Sequence, residues 1–447
     1  MMVKAPRFGR LRIPERLTQR WRARLRAQRR WWRRRWRETA PGEVMFPQAG
    51  GGLVAVETLA GGRGGDGPRI AILHATAGAG HKRAAQALAA AIAEQSPRAV
   101  VQEVDTLVFA SRFYRGTYAT SYNVMAARAP RLWGALYHSW ESAPVHKGAT
   151  PVRLALDRAN LRRLVRVVER ERPDAIVCTH FLPAEALSPV RGRGRVQIPL
   201  YVVITDFTAH PIWALPHVDR YFVASERVAE QLARHGVPRG NIEASGIPID
   251  PRFAQTIGRD AACARMQLDP RRPAVLVMGG GAGVGPLAEL AATLARLALQ
   301  PQVVVVCGTN QRLLAQIRAM PETRDGKVRA IGFTHEVDVL LEACDVVVSK
   351  AGGLTCSEAL AKRTPMVVFR PTPGQEVRNA EFLEASGAAV HADSVTGVAD
   401  SVGRWLADRE ARARAQEAAA RIGHPDAAET IARAVLASVE SRTVRAG

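Results

Sequence analysis

Residues 69–94 read RIAILHATAGAGHKRAAQALAAAIAE, and the changes of character within that run decide the fold class. Arg69–His74 is a short apolar run, the mark of a buried strand. Gly78 and Gly80 follow, and glycine lets the backbone turn tightly and approach a ligand. Gly80–Glu94 is rich in alanine, contains no breaker, and reads as a helix. Strand, glycine turn and helix form the repeating unit of a parallel α/β sheet.

The same alternation extends outward. Further strands are expected at Val100–Val104, Ala175–Cys178, Leu200–Thr205, Tyr221–Val223 and Ile242–Ala244, with helices over 110–140 and 151–171. Pro248 and Pro251, in GIPIDPRF, mark a hinge. A second series has strands at Ala274–Met278, Val303–Cys307, Val328–Ile331, Val346–Ser349 and Met366–Phe369. Two α/β domains with parallel sheets are expected, at 69–253 and 254–447, preceded by a basic segment (1–40) and a glycine-rich linker (41–68). Ligands of such sheets bind beyond the carboxyl ends of the strands, where each motif below lies.

Composition narrows the class. With 447 residues, 47% of them hydrophobic, the chain has enough material for two cores. No apolar run approaches the roughly 20 residues that span a bilayer, so no transmembrane helix is expected. The basic start is not followed by an apolar core, so no secretory signal is expected either. Five scattered cysteines without a CxxC pair suit reduced thiols in a cytoplasmic protein.

The net charge is +22, and residues 1–40 carry +13 of it, from fifteen Lys/Arg against two Glu. On a helix, Leu17, Trp21, Leu25, Trp32 and Trp36 share one face, with Trp31 beside them and arginine filling the remainder. Tryptophan at headgroup depth in a cationic field suits an anionic membrane surface. A solvated tail, a nucleic-acid arm and a transit peptide are the competing readings, and the last is disfavoured because such peptides are Ser-rich and no Ser precedes Ser96. The confinement of charge to one end argues against nucleic acid as the partner.

Five motifs carry chemistry. In the first, His74–Leu88, His81 opens a helix whose dipole is expected to keep the imidazole neutral and able to take a hydroxyl proton. Gly80 sits beside it. The second, SKAGGLTCSEAL (Ser349–Leu360), places Gly352, Gly353, Leu354 and Thr355 at a helix start whose free N–H groups suit a diphosphate. Glu358 lies one turn in, able to accept hydrogen bonds from a ribose diol. In the third, PTPGQEVRNAEFL, Gln375, Glu376 and Asn379 offer the polar groups that bind sugar hydroxyls, although helix capping uses the same residue types. The fourth, MGGGAGVGP, brings Gly280 and Gly281 to another strand end. The fifth, TDFTAHPIW, presents Asp206, His210 and Trp213, suited to position an acceptor or to cap a helix. A strict DxD is absent and no metal site is visible. Neither a metal nor another cofactor is expected, and a departing diphosphate would be met by helix N–H groups and a basic side chain.

Taken in order over Ile70 to Val390, these motifs resemble the monogalactosyldiacylglycerol synthase and processive diacylglycerol glucosyltransferase family, and more distantly the transferase that makes lipid II. The resemblance implies a GT-B fold, two facing Rossmann-like domains with an interdomain cleft. It implies an inverting transfer of a hexose from a UDP-sugar, held by the carboxyl-terminal domain, to diacylglycerol or a related membrane lipid approaching the amino-terminal one. By the same resemblance His81 matches the base, Glu358 the ribose ligand, Gly353–Thr355 the diphosphate turn, and Gln375 and Glu376 the sugar site. Phe333 is implied at the uracil. The expected location is the cytoplasmic face of the plasma membrane, held peripherally. Rival readings are an N-acetylglucosaminyltransferase with another lipid-linked acceptor, a UDP-sugar epimerase, and a basic adaptor on an inactive fold. Retention of His81, Glu358 and the Gln375–Glu376 pair argues against the adaptor.

Overall fold

A computed structural model of the chain describes residues 43–47, 53–57, 67–76, 79–111, 114–115 and 155–446. The basic segment with Trp21, Trp31, Trp32 and Trp36, and most of the expected helical stretch 110–140, lie outside the described residues. The chain divides into two compact units, Met1–Gly64 and Gly65–Gly447.

The first unit holds an antiparallel pair, β1 (Glu43–Pro47) and β2 (Leu53–Glu57), in register from Glu43↔Glu57 to Pro47↔Leu53. This strand pair was not expected within the glycine-rich linker over 41–68. EVMFP and LVAVE are short β-prone runs, and the surrounding glycines mask them when the segment is judged by composition.

The second unit contains two six-stranded sheets, parallel throughout. The first comprises β3 (Arg69–His74), β4 (Val100–Asp105), β5 (Ala175–Cys178), β6 (Leu200–Val203), β7 (Arg220–Phe222) and β8 (Ile242–Glu243), in the order β4-β3-β5-β6-β7-β8. The second comprises β9 (Ala274–Met278), β10 (Gln302–Val306), β11 (Val328–Ile331), β12 (Val346–Ser349), β13 (Met366–Phe369) and β14 (Ala389–Ala392), in the order β11-β10-β9-β12-β13-β14. Strands such as QVVVV and VVVS are apolar on both faces because helices cover both sides of a parallel sheet. Strand β14 (AVHA) was not expected: four residues with an exposed His391 give no apolar run to read.

The last helix, Ala427–Ala446, returns to the first sheet's half of the unit. Ala428, Ile431, Ala432, Val435, Leu436 and Val439 share one core with Ile70, Ile72, Leu88 and Ile92. Gln95 Nε2 donates to the Glu429 carbonyl at 2.9 Å, and Tyr201 bonds Ser438. The outgoing and returning chains meet at Gly246, whose φ is +87° and where a Cβ would lie 2.3 Å from that of His424. Only glycine fits there. Ile431 is fully buried. Ile431→Ala therefore lowers the unfolding free energy by about 2–5 kcal/mol in a denaturant titration; a loss below about 1 kcal/mol would show that the returning helix is loosely held.

Candidate active site

Both sheets reverse their strand order once, the first between β3 and β5 and the second between β9 and β12. Crevices for ligands open beyond the carboxyl ends of the strands at such switch points. The histidine motif leaves β3 and the SKAGG motif leaves β12, so the two chemistry-bearing turns emerge at the two switch points. They also touch: a Cβ on Gly80 would lie 3.5 Å from Leu354 Cδ2.

Three helices begin here without a side-chain cap: Gly80–Gln95 after Ala79, Gly353–Ala361 after Gly352, and Gln375–Ser386 after Gly374. Away from the site some helices carry a side-chain cap, as after Asn310, Ser394 and Asp408, and others do not, as after Ser225 and Pro286. The first N–H groups of the uncapped helices keep their partial positive charge for a ligand.

His81, the second residue of its helix, is half-buried. Its Nδ1 lies 2.8 Å from the Thr179 carbonyl and 3.0 Å from Thr205 Oγ1. A carbonyl only accepts, so Nδ1 carries the proton and Nε2 keeps its lone pair. The Thr179 hydroxyl donates to the His81 carbonyl at 2.9 Å and fixes the residue from a second side. Burial pushes the imidazole pKa down to about 4, the Thr179 carbonyl opposes this, and His74 adds to the lowering. Neutrality was expected, but from the helix dipole; desolvation is the main cause.

His180 lies edge-on to His81, with ring centroids 4.5 Å apart, and burial keeps it well below the usual histidine value. Its Nδ1 accepts from Leu182 N–H at 3.1 Å. Phe181 and Trp213 continue the aromatic row.

On the facing side, Glu358 is 2% exposed, and burial raises its carboxyl pKa to about 7, with Arg83 opposing the rise. An Arg83 guanidinium N–H donates to Glu358 Oε1. Glu376 Oε2 accepts from Thr372 N–H at 2.6 Å, and Lys350 Nζ stands 3.5 Å from Glu376 Oε1. Gln375 and Thr355 are half-buried beside these groups. Gly280 and Gly281 are exposed on a turn held by Thr309 N–H to the Gly281 carbonyl (3.0 Å) and Asn310 Nδ2 to the Gly283 carbonyl (3.1 Å). Phe333 is 61% exposed and meets the His335 ring at 83°, with centroids 5.0 Å apart.

Four expected site residues are engaged by protein groups. Asn379 is fully buried; its amide donates to Asp206 Oδ1 (3.2 Å) and the Ala351 carbonyl (3.0 Å), while its oxygen accepts from Phe207 N–H (2.8 Å). It ties the two halves of the unit together, as Phe207 stacked on Phe382 also does. Asp206 is thereby bonded to Asn379, and burial raises its pKa to about 6. His210 caps the turn Pro211–Trp213 by accepting Ile212 N–H, and Trp213 is buried against Phe181. The local turn consumes the polarity of this motif.

Sequence reasoning missed Arg83, Lys350, Thr179 and His180. The first two stand inside quoted motifs, and a cation in the first turn of a helix is a legible anomaly for Arg83. Thr179 and His180 gave no signal. Among the described residues no group of three or more His, Cys, Asp and Glu is placed to hold a metal, and no helix is long and apolar enough to cross a membrane.

Comparison with known proteins bears on both halves. Residues 81–249 match the family model for monogalactosyldiacylglycerol (MGDG) synthase, and residues 274–431 match the glycosyltransferase family 28 C-terminal domain. The processive diacylglycerol beta-glucosyltransferase of Bacillus subtilis is 33% identical over 285 residues, which are 64% of this chain and 74% of the relative. That of Bacillus licheniformis is 34% identical over 250 residues, 56% of this chain and 64% of the relative, slightly under two thirds of its length. Among solved structures, Acinetobacter baumannii MurG superposes with a TM-score of 0.52 at 15% identity, over 82% of this chain and 99% of that one. Neisseria meningitidis UDP-GlcNAc 2-epimerase, bound to UDP-GlcNAc, gives 0.51 at 12% identity over 82% and 99%. These two likenesses concern the fold alone.

Proposed function

Because the chain belongs to the diacylglycerol glycosyltransferases of glycosyltransferase family 28, we propose that it moves a hexose from a UDP-sugar to the hydroxyl of diacylglycerol or a closely related lipid, with inversion at the anomeric carbon. The observation that carries the mechanism is the His81 hydrogen bond to the Thr179 carbonyl, which leaves Nε2 as a base at the switch point of the first sheet. Nε2 takes the proton of the acceptor hydroxyl as its oxygen attacks the anomeric carbon. The C–O bond to UDP breaks on the opposite face. A positioned base contributes about 10²–10⁴-fold.

The donor is held by the second sheet. The ribose diol donates to Glu358, the uncapped N–H groups of Gly353, Leu354 and Thr355 meet the diphosphate with Lys350 nearby, and Gln375 and Glu376 meet the sugar. Gly280 and Gly281 close over the diphosphate, and uracil stacks on Phe333. Helix N–H groups and one cation meet the charge of the departing diphosphate where it develops. Glu358→Ala weakens UDP binding by about 1–3 kcal/mol, the usual cost of losing a hydrogen bond to a charged group; unaltered affinity in calorimetry would refute the ribose assignment.

The acceptor approaches the first sheet, and the cationic amphipathic segment at 1–40 holds the protein peripherally on the anionic inner face of the membrane. Each basic residue near such a surface contributes about 1 kcal/mol, screened over about 8–10 Å. Sedimentation with anionic vesicles should therefore weaken as salt rises and be lost when 1–40 is deleted; binding that survives the deletion overturns this role.

A UDP-sugar epimerase is the second reading, favoured only by the similar backbone of the Neisseria enzyme. Incubation with diacylglycerol and a panel of UDP-sugars, with mass analysis of the lipid, separates the two. A hexosyl-lipid supports the transferase. Epimerised UDP-sugar without lipid product supports the rival.

A further inference from the structure

We infer that Arg83 is the positioning residue of the donor site: carried by the His81 helix, its guanidinium bonds the buried Glu358 carboxyl and orients it for the ribose. The inference rests on Glu358 being the ribose ligand, as proposed above.

The placement of Arg83 is anomalous on local grounds. It lies in the first turn of its helix, where the macrodipole disfavours cations. Its compensation comes from the other half of the unit, 275 residues away in sequence. The side chain spans a gradient, with Arg83 44% exposed and Glu358 2% exposed, so the charge reaches from the wet rim to a carboxylate that water cannot solvate. Desolvation of that kind drives a lone carboxyl towards its neutral form.

The remaining charged groups facing Glu358 make matters worse. Asp250, which caps the turn Pro251–Ala254, and Asp338, on the helix Val337–Ala343, both disfavour its ionisation, whereas Arg83 favours it. Asp250 is already clamped by Arg252, through Nε to Oδ1 at 3.0 Å and Nη2 to Oδ2 at 2.9 Å. Arg252 also donates to the His335 carbonyl at 2.9 Å, so its own guanidinium is engaged. With Arg83 the carboxyl titrates at about 7; without it, Glu358 would be almost wholly protonated at neutral pH. A neutral carboxyl cannot accept both ribose hydroxyls as a carboxylate does. The same bond sets the helix that carries His81 against the donor side.

The test is calorimetric titration of UDP into wild type, Arg83→Gln and Arg83→Lys from pH 6.5 to 9, with thermal melts as a control for folding. Because each variant is compared with wild type at the same pH, the titration of UDP itself cancels. Arg83→Gln should bind UDP about fivefold more weakly at pH 7, because a carboxyl that already titrates at about 7 loses most of its remaining ionised fraction, and recover by pH 9. Arg83→Lys, which keeps the charge, should stay within about threefold of wild type at pH 7.

Wild-type or tighter binding by Arg83→Gln at pH 7 overturns the inference. So does a loss of equal size at pH 7 and 9, which would mark a packing defect, and so does failure of the lysine to rescue. Glu358→Gln separates the layers. If it binds UDP like wild type, the ribose reading itself fails. If it binds weakly while Arg83→Gln is unaffected, only the role of Arg83 falls.

Discussion

His81→Ala lowers turnover by about 10²–10⁴-fold and leaves UDP affinity within about twofold. The substitution removes Nε2 and leaves the Glu358 side of the site intact. Asparagine is the sharper variant, because its amide N–H can keep the bond to the Thr179 carbonyl while no group replaces Nε2. Single-turnover kinetics with saturating donor should show the same loss in both variants. Near-normal turnover in either would take His81 out of the chemistry.

The pH dependence follows from opposite shifts. Burial lowers the His81 pKa to about 4, so the imidazole stays neutral as the pH falls from 8 to about 5. Burial raises that of Glu358 to about 7, so its carboxylate is lost as the pH falls through 7. The acid limb should therefore appear near pH 7 in the donor KM, with kcat nearly flat. An acid limb near 7 in kcat with constant KM would contradict the assignment. Folding stability has the same two signs. The lowered histidine contributes stability above its unfolded value of about 6.5 that is lost as the pH falls towards 4, whereas the cost of the buried Glu358 charge is relieved as the pH falls below 7.

Gly353→Ala should lower turnover by at least about 10²-fold, although alanine is the better helix former. A Cβ at this position would stand 2.0 Å from the Thr205 carbonyl oxygen and 3.5 Å from Asp206 Cα. Neither is the end of a flexible side chain, so the backbone must move. That movement separates the Gly353 helix from the segment bearing Thr205, one of the two groups at His81 Nδ1. A misplacement of about 1 Å at reacting groups costs about 10²-fold, which sets the magnitude. Donor affinity should fall as well, because the N–H groups of this turn move with it. Turnover within about threefold of wild type would mean that the close approach is dispensable.

The strand–glycine–helix units were legible because periodicity and turn chemistry act over a few residues. The apolar runs around Ile70, Val304 and Val347 and the glycines after them announced a parallel α/β protein, and the order of motifs announced its family. The short edge strand at Ala389–Ala392 and the pair at 43–47 and 53–57 escaped, because runs of four or five residues carry little pattern. His210 had two legible uses, and the local one prevails because its ring meets Ile212 N–H within the same turn.

By itself the sequence determined the kind of sheet, the residues able to do acid–base and phosphate chemistry, and the glycines that leave helix N-termini open. Tertiary structure decided how these act on one another. Strand order set β5 beside β3 and so brings the Thr179 carbonyl to His81 across 98 residues, and the packing of the two sheets' halves brings Arg83 to Glu358 across 275 and Asp206 to Asn379 across 173. It also returned the helix Ala427–Ala446 to the core of the first sheet. Local propensity specifies each element, whereas the tautomer of a histidine or the ionisation of a buried carboxylate depends on partners that only the completed packing supplies.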